Sequence, residues 1–404
     1  MKTKLSNQTN NKQLNMVFSV TIGFAFLLRL LLAATSKGFE SDIACFSAWA
    51  ARVYEGGFSN FYMPDVFTDY PPGYIYILYP IGALLHHFQI DAFSELGLIL
   101  IKMPSILSDM AAGVILYYIG RNRTTQPTAI LISMLYLLNP AVLINSVVWG
   151  QTDSCLTLCI LLLCLLLTNG KVIPAGFVFA AGLLLKPQML IFSPILLYGI
   201  YEYGILKIKT GNGIRLTFQN IRQLLGICLG GVAAIVCLLL AMLPFGLDKV
   251  LPQYTDTLTS YPYASVNAYN IWGLFGKNWS SQDTLFWNTN LTYANLGTLA
   301  IILLTILSVV IFELLRRKRR EERYFLTASF IITTMFMFSV RMHERYLYPA
   351  MILLLICSLY CRQHNLIPTY VMITLGHTAN VWYVLYHYDA GTYYSTQHQT
   401  VKWL

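Results

Sequence analysis

Long apolar segments, separated by short polar clusters, run through almost the whole chain. A helix needs about 20 apolar residues to cross the hydrocarbon layer of a membrane. Apolar runs that approach this length lie at about 16–34, 95–120, 127–148, 154–170, 172–186, 188–204, 222–244, 291–315, 324–340, 346–361 and 366–386. The pattern predicts an all-α polytopic membrane protein with about 11 transmembrane helices.

Composition supports this class. Of the 404 residues, 56% are hydrophobic and only 11% are charged, whereas a soluble domain carries roughly 25% charge. The net charge of +9 does not indicate nucleic acid here, because basic residues mark the cytoplasmic loops of membrane proteins. The eight cysteines lie almost entirely in apolar runs without paired or metal-ligand spacing, which is typical of small core residues.

The short apolar run Gly73–Phe88 decides the topology. If it crossed the membrane, the basic loops around Arg121, Lys209 and Arg316 would be external. If it does not cross, most of the 27 lysines and arginines are cytoplasmic, as the positive-inside rule requires. We therefore expect a re-entrant or juxtamembrane element on the outer side.

This topology gives a simple domain plan. Residues 1–15 form a cytoplasmic tail, expected to be disordered, and residues 16–404 form a single transmembrane domain. The first external loop covers 36–94 and a large external loop covers 245–290. The chain ends after Tyr386 in an external tail without a closing helix.

Two acids follow the first apolar run. Ser41-Asp42 precedes an apolar stripe at helical spacing, which predicts an amphipathic helix at the membrane surface. Asp42 suits a helix N-cap, and it equally suits a general base held at that surface. Glu40 is the neighbouring alternative.

Two further clusters contain acids at helix ends. Asp69-Tyr70-Pro71-Pro72-Gly73-Tyr74 is a stiff turn, either a simple helix entry or a rigid wall that presents Asp69. Trp149-Gly150-Gln151-Thr152-Asp153 has no spacer from the flanking apolar runs. It is either a capped hairpin or a cluster that lines a cavity, and Trp149 also suits the aromatic belt.

The cations near predicted external helix ends form a third group. Lys186-Pro187-Gln188 occupies a very short turn, where Lys186 either extends to the membrane surface or binds phosphate. In Arg341-Met342-His343-Glu344-Arg345-Tyr346 the two arginines would share a face if the segment were helical. They suit a lipid phosphate, and a lipid headgroup anchor is the less favoured alternative.

Inside the predicted span 95–120, Lys102 and Asp109 are seven residues apart and would lie on one inward face. A structural role is favoured over a proton pathway. No Gly-rich phosphate loop with Lys-Ser/Thr is present, so nucleotide chemistry on the cytoplasmic side has no motif.

The ordered motifs resemble a known class of enzymes. They are Glu40-Ser41-Asp42, Asp69-Tyr70-Pro71-Pro72-Gly73-Tyr74, Lys102-Met103-Pro104, Asn139-Pro140, Trp149-Gly150-Gln151-Thr152-Asp153-Ser154, Lys186-Pro187-Gln188 and Arg341-Met342-His343-Glu344-Arg345-Tyr346-Leu347-Tyr348-Pro349. This set, from about residue 36 to 361, resembles the bacterial GT-C membrane glycosyltransferases related to GPI-anchor mannosyltransferase II.

The resemblance implies a function and a site. The donor would be a polyprenyl-phosphate sugar, with a mannose-like hexose transferred on the extracytoplasmic side, with inversion, to a glycan, lipid or protein acceptor. The first-loop base maps best to Asp42, with Glu40 as its rival, and the phosphate-binding residues to Arg341, Arg345, His343 and Lys186. The remaining substrate-binding residues would be Asp69, Tyr70, Trp149, Gln151, Asp153, Gln188, Glu344 and Tyr346.

Other questions and functions stay open from the sequence. No cofactor is assigned, and a divalent metal stays open. A transporter or flippase of lipid-linked sugars would need alternating access and usually shows internal repeats, of which the sequence has none visible. A ligase or polymerase of lipid-linked glycans would need the same external acids and arginines.

Overall fold

The protein is built almost entirely of helices. The computed structural model describes residues 2–64, 66–206, 209–210, 213–214, 218–361 and 366–389. The α-helices are α1 (Lys2–Thr35), α2 (Glu40–Gly56), α3 (Pro72–His87), α4 (Glu95–Arg121), α5 (Gln126–Leu137), α6 (Pro140–Leu143), α7 (Asp153–Thr168), α8 (Val172–Leu185), α9 (Ser193–Ile200), α10 (Phe218–Met242), α11 (Leu247–Thr259), α12 (Ile271–Leu274), α13 (Tyr293–Arg317), α14 (Arg323–Phe338), α15 (Ala350–Cys361) and α16 (Leu366–Asp389).

Shorter elements join these helices. Short 3₁₀ segments cover Phe58–Asn60, Pro187–Phe192 and Leu243–Phe245, and π-helical turns cover Ile144–Trp149 and Tyr201–Ile205. Strands β1 (Lys209–Thr210) and β2 (Gly213–Ile214) pair antiparallel, with Lys209 opposite Ile214.

Several helices have the length and composition of membrane spans. Within the described ranges, Lys12–Thr35, Glu95–Arg121, Gln219–Phe245 and Tyr293–Arg317 qualify. The pair Gln126–Leu137 and Pro140–Trp149, bent by 44°, makes a fifth if it is one span. Helices α7, α8, α14 and α15 are apolar but shorter. Four or five spans are therefore evident by length and composition, and the predicted count of about 11 is not established.

The first helix corrects the prediction for the N-terminus. Helix α1 begins at Lys2, so the segment expected to be a disordered tail is helical. Residues 2–22 contain neither proline nor glycine, and nothing in them interrupts a helix that continues into the apolar run.

The other end and the large loop also differ from expectation. Helix α16 extends to Asp389, three residues beyond Tyr386, and residues 390–404 of the predicted external tail lie outside the described ranges. The predicted loop 245–290 contains the amphipathic helix α11 and the short helix α12. The run Gly73–Phe88 forms α3, a 16-residue helix that packs along α2.

Two apolar clusters organise the fold. The larger one fills the space between α4, α5, α7, α14 and α15. The second lies between α2, α3 and the segment 242–250, and α2 contributes the predicted stripe of Ile43, Phe46, Trp49, Ala50 and Val53. Burial of that stripe packs α2 against α3. The N-terminus of α2 then lies near the ends of the helices that form the larger cluster.

The polar face of α4 points inward, as predicted. Lys102 is buried, and its Nζ donates to the Ser36 carbonyl at 2.7 Å. Asp109 is also buried and accepts from Ser146 Oγ at 2.6 Å and from Tyr348 at 2.6 Å. These contacts tie α4 to the π-helical turn and to the segment before α15, which is a structural role.

Candidate functional site

The first turn of α2 presents Asp42 to a neighbouring hairpin. Phe39 is the N-cap residue and makes no side-chain cap hydrogen bond, so Asp42 does not have the N-cap role that was one of its two predicted possibilities. Instead, Asp42 Oδ2 accepts from Trp149 Nε1 at 2.7 Å and from Gln151 Nε2. Asp42 is half-buried, whereas Glu40 is exposed.

The hairpin that holds Asp42 depends on a special backbone turn. The π-helical turn Ile144–Trp149 ends at Gly150, whose φ of 93° is in the left-handed region that favours glycine. A Cβ at Gly150 would also come within 2.8 Å of Ile43 Cδ1. This tight turn directs both Trp149 and Gln151 at Asp42.

Trp149 does not belong to an aromatic belt. Its side chain is 1% exposed and stacks on Phe39, with ring centroids 4.7 Å apart. The local pattern allowed a belt residue, but the indole N–H is used for Asp42. Trp149 therefore lies inside the protein and contacts a carboxylate.

A buried ion pair lies beside the hairpin. Lys186 Nζ is 2.7 Å from Asp153 Oδ1, and Asn145 Nδ2 donates to Asp153 Oδ2 at 3.1 Å. Lys186 is 4% exposed, so the interpretation that it extends to the membrane surface is wrong. A charge in this apolar setting needs a partner, and Asp153 provides it.

Asp69 and Tyr70 belong to the turn before α3 and lie close to the hairpin 149–153. The Tyr70 hydroxyl contacts Thr152 Oγ1 at 3.0 Å and Gln151 Oε1 at 3.4 Å. The pKa of Asp69 is raised to about 6, mainly by burial and also by the charge of Asp42, while Arg345 and Lys186 act in the opposite direction. The charges of Asp42, Asp69, Lys186 and Arg345 therefore act on one another.

The segment 339–349 between α14 and α15 is not an α-helix, which corrects the expected pairing of two arginines on one face. Arg345 Nη1 contacts Glu344 Oε1 at 2.8 Å. Arg341 has a φ of 62°, and its Nε donates to Gln282 Oε1 at 2.8 Å. The backbone turn thus directs Arg345 toward the acids, while Arg341 contacts the large loop.

His343 and Glu344 are buried in this segment. Burial lowers the pKa of His343 well below its usual value, with Arg345 and Lys186 adding to the effect, so the imidazole is neutral. Burial raises the pKa of Glu344. A neutral imidazole next to two cations can donate or accept a hydrogen bond without adding charge.

Gln188 lies at the edge of the site next to α14. Its Nε2 donates to the Tyr346 hydroxyl at 2.9 Å. Asp153, Gln188 and Tyr346 border a cavity of about 10 Å³ whose other walls are apolar, formed by Leu156, Ile191, Phe192, Ile332 and Pro349. Polar and apolar surfaces therefore meet directly at this edge of the site.

Several buried polar atoms of the site have no hydrogen-bond partner among the described residues. They are Asn145 Oδ1, Gln188 Oε1, Glu344 Oε2 and Arg345 Nε, and both ring nitrogens of the buried His377. Such atoms are costly unless a ligand or water satisfies them. Asn145 and His377 were missed from the sequence because both lie inside apolar helical runs.

The site has no evident metal centre in the part of the chain described here, where no three His, Cys, Asp or Glu side chains converge as metal ligands would. Its chemistry is that of carboxylates, amides, cations and aromatic rings. The arrangement can hold a carboxylate base, bind an anion between Lys186 and Arg345, and donate hydrogen bonds to sugar hydroxyls.

Comparison with known proteins bears on the chain as a whole. A search of curated proteins finds no match. A family model for glycosyltransferase family 87 matches residues 67–340. The matched range includes Asp69, the hairpin 149–153 and Lys186, and it excludes Asp42 and Arg345. Since the match covers more than half of the 404 residues, the chain belongs to glycosyltransferase family 87.

Proposed function

We propose that this glycosyltransferase moves a mannose-like hexose from a polyprenyl-phosphate donor to an acceptor hydroxyl on the extracytoplasmic side, with inversion. Membership of glycosyltransferase family 87 supports sugar transfer in general. The donor, the sugar, the acceptor and the side of the membrane are the proposal. The acceptor belongs to a glycan, a lipid or a protein.

The contacts of Asp42 carry this proposal. Trp149 Nε1 and Gln151 Nε2 both donate to Oδ2, which fixes the carboxylate plane. In this proposal Oδ1 is the base, and it takes the hydroxyl proton as the acceptor oxygen bonds to the anomeric carbon. The bond from that carbon to the phosphate oxygen breaks at the same time, and the lipid phosphate leaves.

The cations of the site suit the leaving phosphate. Lys186 and Arg345 both act on Asp69, so both lie within range of one group. Each is paired with an acid in this structure, Lys186 with Asp153 and Arg345 with Glu344. These acids keep the cations in position, and the phosphate adds a further partner whose charge grows in the transition state.

A lipid-linked donor is supported by the edge of the site next to α14. The polar groups of Asp153, Gln188 and Tyr346 adjoin apolar side chains at a small cavity. A polyprenyl phosphate needs this combination, because its charged head and apolar tail are joined by one bond. A soluble nucleotide sugar has no use for the apolar part.

Two other functions share some of these features. A flippase of lipid-linked sugars would bind the same donor, but it has no need of a fixed carboxylate base. A ligase or polymerase that transfers a whole glycan differs only in the size of the transferred group. Membership of the family favours sugar transfer over transport.

Mass spectrometry of surface glycans and lipid-linked sugars in a gene-deletion strain tests the proposal. The expected result is a glycan that lacks one hexose, with the unused polyprenyl-phosphate hexose still present, and recovery when the wild-type gene is returned. Loss of a larger glycan unit would favour the ligase. An unchanged glycan profile would contradict the proposed function.

A further inference from the structure

The end of α16 contacts the first turn of α2, the turn that contains Asp42. The Tyr388 hydroxyl accepts a hydrogen bond from the Ser41 backbone N–H at 3.1 Å and lies 3.1 Å from Ser41 Oγ. The first turn of a helix has backbone N–H groups without intrahelical partners. Because Phe39 provides no side-chain cap, Tyr388 supplies a partner for this turn.

The ring of Tyr388 is linked to Asp42, the proposed base, through two other aromatic rings. It packs on Phe39 with centroids 3.8 Å apart, and Phe39 stacks on Trp149 at 4.7 Å with an interplanar angle of 11°. Trp149 Nε1 in turn donates to Asp42 Oδ2 at 2.7 Å. Three rings in contact, the first pair tilted by 30° and the second pair stacked, therefore lead from α16 to the carboxylate.

The surrounding packing makes this stack a fixed unit. The Phe39 backbone N–H donates to the Trp149 carbonyl at 2.9 Å. Val381, Val384 and Leu385 of α16 are buried in one apolar cluster with Phe39 and Trp149. A displacement of the last turn of α16 would therefore reach both the indole and the start of α2.

We propose that Tyr388 is a positioning residue that orients the Asp42 carboxylate for proton transfer. It acts in two ways, through its hydroxyl on the first turn of α2 and through its ring on the Phe39–Trp149 stack. The proposal rests on the proposed function, because it gives Asp42 the role of the base. Tyr388 itself touches neither donor nor acceptor.

The test compares four full-length variants in membranes of the deletion strain, which retain the native acceptor. Undecaprenyl-phosphate mannose with a labelled sugar is the donor, and the initial rate of label transfer to the acceptor fraction is measured at several donor concentrations. The variants are Tyr388→Ala, Tyr388→Phe, Asp42→Asn and Tyr386→Ala. Tyr386 lies on the same helical turn, is 62% exposed and serves as the matched control.

We expect Tyr388→Ala to lower kcat by about 10- to 100-fold, because a misplaced reactive group loses rate steeply. The donor KM stays unchanged, since donor binding does not use Tyr388. Tyr388→Phe keeps the ring and falls between wild type and Tyr388→Ala, while Tyr386→Ala matches wild type. A Tyr388→Ala enzyme as fast as Tyr386→Ala, or one changed only in KM, would overturn the proposal.

The double variant Asp42→Asn with Tyr388→Ala separates positioning from general stability. If Tyr388 acts through Asp42, removing it from the Asp42→Asn enzyme has little further effect on rate. Additive losses would mean that Tyr388 acts elsewhere and would refute the proposal. If Asp42→Asn alone is fully active, the assigned base is wrong, and the Tyr388 proposal falls with it. If Asp42→Asn is inactive while Tyr388→Ala is normal, only the Tyr388 proposal fails.

Discussion

Asp42 is a single carboxylate with two neutral hydrogen-bond donors on one oxygen. Asp42→Asn preserves shape, because the amide oxygen can still accept from Trp149 and Gln151, but it cannot take a proton. We expect turnover to fall by about 10²–10⁴ with donor binding retained. Transfer rate and donor binding are measured beside Glu40→Gln, which changes an exposed acid on the same turn.

The pair of variants also identifies the base if Asp42 is not it. An active Asp42→Asn with an inactive Glu40→Gln would move the role to Glu40. If both variants are active, the base is not in the first turn of α2, and Asp69 and Asp153 become the candidates.

Arg345 is expected to contribute more to donor use than Arg341. Its guanidinium acts on the acids of the site, whereas Arg341 donates to Gln282 of the large loop. A charge-assisted hydrogen bond contributes about 1.5–3 kcal/mol, so Arg345→Ala should lower donor affinity or rate by roughly 10- to 100-fold. Rate against donor concentration is the measurement, with Arg341→Ala as the comparison. A wild-type curve for Arg345→Ala would remove Arg345 from the phosphate site.

Asp69 gives the fold a predictable pH dependence. Its pKa is about 6 in the folded protein against 3.8 without the surrounding structure. A carboxyl whose pKa is raised by folding stabilises the fold at low pH and loses that contribution as pH rises through about 6. Asp69→Asn cannot ionise, so its stability relative to wild type should improve between about pH 4 and pH 7, by up to roughly 3 kcal/mol. Thermal unfolding in detergent at several pH values measures this, and a constant difference would contradict it.

At the residue scale, the sequence predicted which side chains gather but not how they pair. Asp42, Gln151, Asp153 and Lys186 were all predicted from polar clusters at helix ends. That Gln151 holds Asp42 could not be predicted, because the two are 109 residues apart and no local pattern encodes the contact. The shared face of Arg341 and Arg345 was wrong because the segment is not helical.

At the scale of elements, the start of α7 and the end of α8, at the opposite end of this hairpin from its turn at residues 169–171, are held together by charge as well as by apolar packing. Lys186 follows the last residue of α8 and pairs with Asp153, the first residue of α7. Removing one partner of a buried pair typically costs about 3–5 kcal/mol, so Lys186→Met should destabilise the protein by that amount. Chemical unfolding in detergent measures it.

Two further variants, a matched control and a double variant, test whether the loss of stability comes from the ion pair. Lys171 precedes the other end of α8 and is exposed, so Lys171→Met should leave stability nearly unchanged. The double variant Lys186→Met with Asp153→Asn should regain part of the loss, because the unpaired carboxylate is gone. A loss equal to that of Lys171→Met would show that the pair does not stabilise the fold.

Helix positions were largely predictable, since each depends on a local apolar run. The run 95–120 became α4, and the stripe after Asp42 became the buried face of α2. The positions at which an apolar run breaks into several shorter helical segments were not predictable. The expected span 188–204 consists of a 3₁₀ turn, the short α9 and a π-helical turn, because Pro187 and Pro194 reset the hydrogen-bonding pattern.

At the scale of the whole molecule, the sidedness of the site is a prediction from charge alone. Arg121 and Lys318 are exposed at helix ends predicted to be cytoplasmic, and Asp283 is exposed in the large loop predicted to be external. Single cysteines at these positions should react with an impermeant thiol reagent from outside only at 283. Labelling of position 318 in intact cells would show that α3 crosses the membrane. Position 212, also predicted to be cytoplasmic, lies outside the described residues.

The number of membrane crossings could not be read securely from hydrophobicity. Helices α7, α8, α14 and α15 are apolar but shorter than a full span, and many residues of α7, α14 and α15 are buried against other helices. A helix that is apolar because it lies in a protein core gives the same signal as one that faces lipid. Hydrophobicity therefore predicts the membrane class well and the crossing number poorly.

The contact between Ser41 and Tyr388 joins residues that are 347 positions apart in the chain. During biosynthesis, the first turn of α2 leaves the ribosome long before α16 is made. A nascent or prematurely terminated chain thus contains Asp42, Trp149 and Lys186 but lacks the contact that the last helix makes with α2. If Tyr388 positions Asp42 as proposed, a chain that ends before α16 lacks this contact, and proteolytic loss of the last turn of α16 would remove it from a finished molecule.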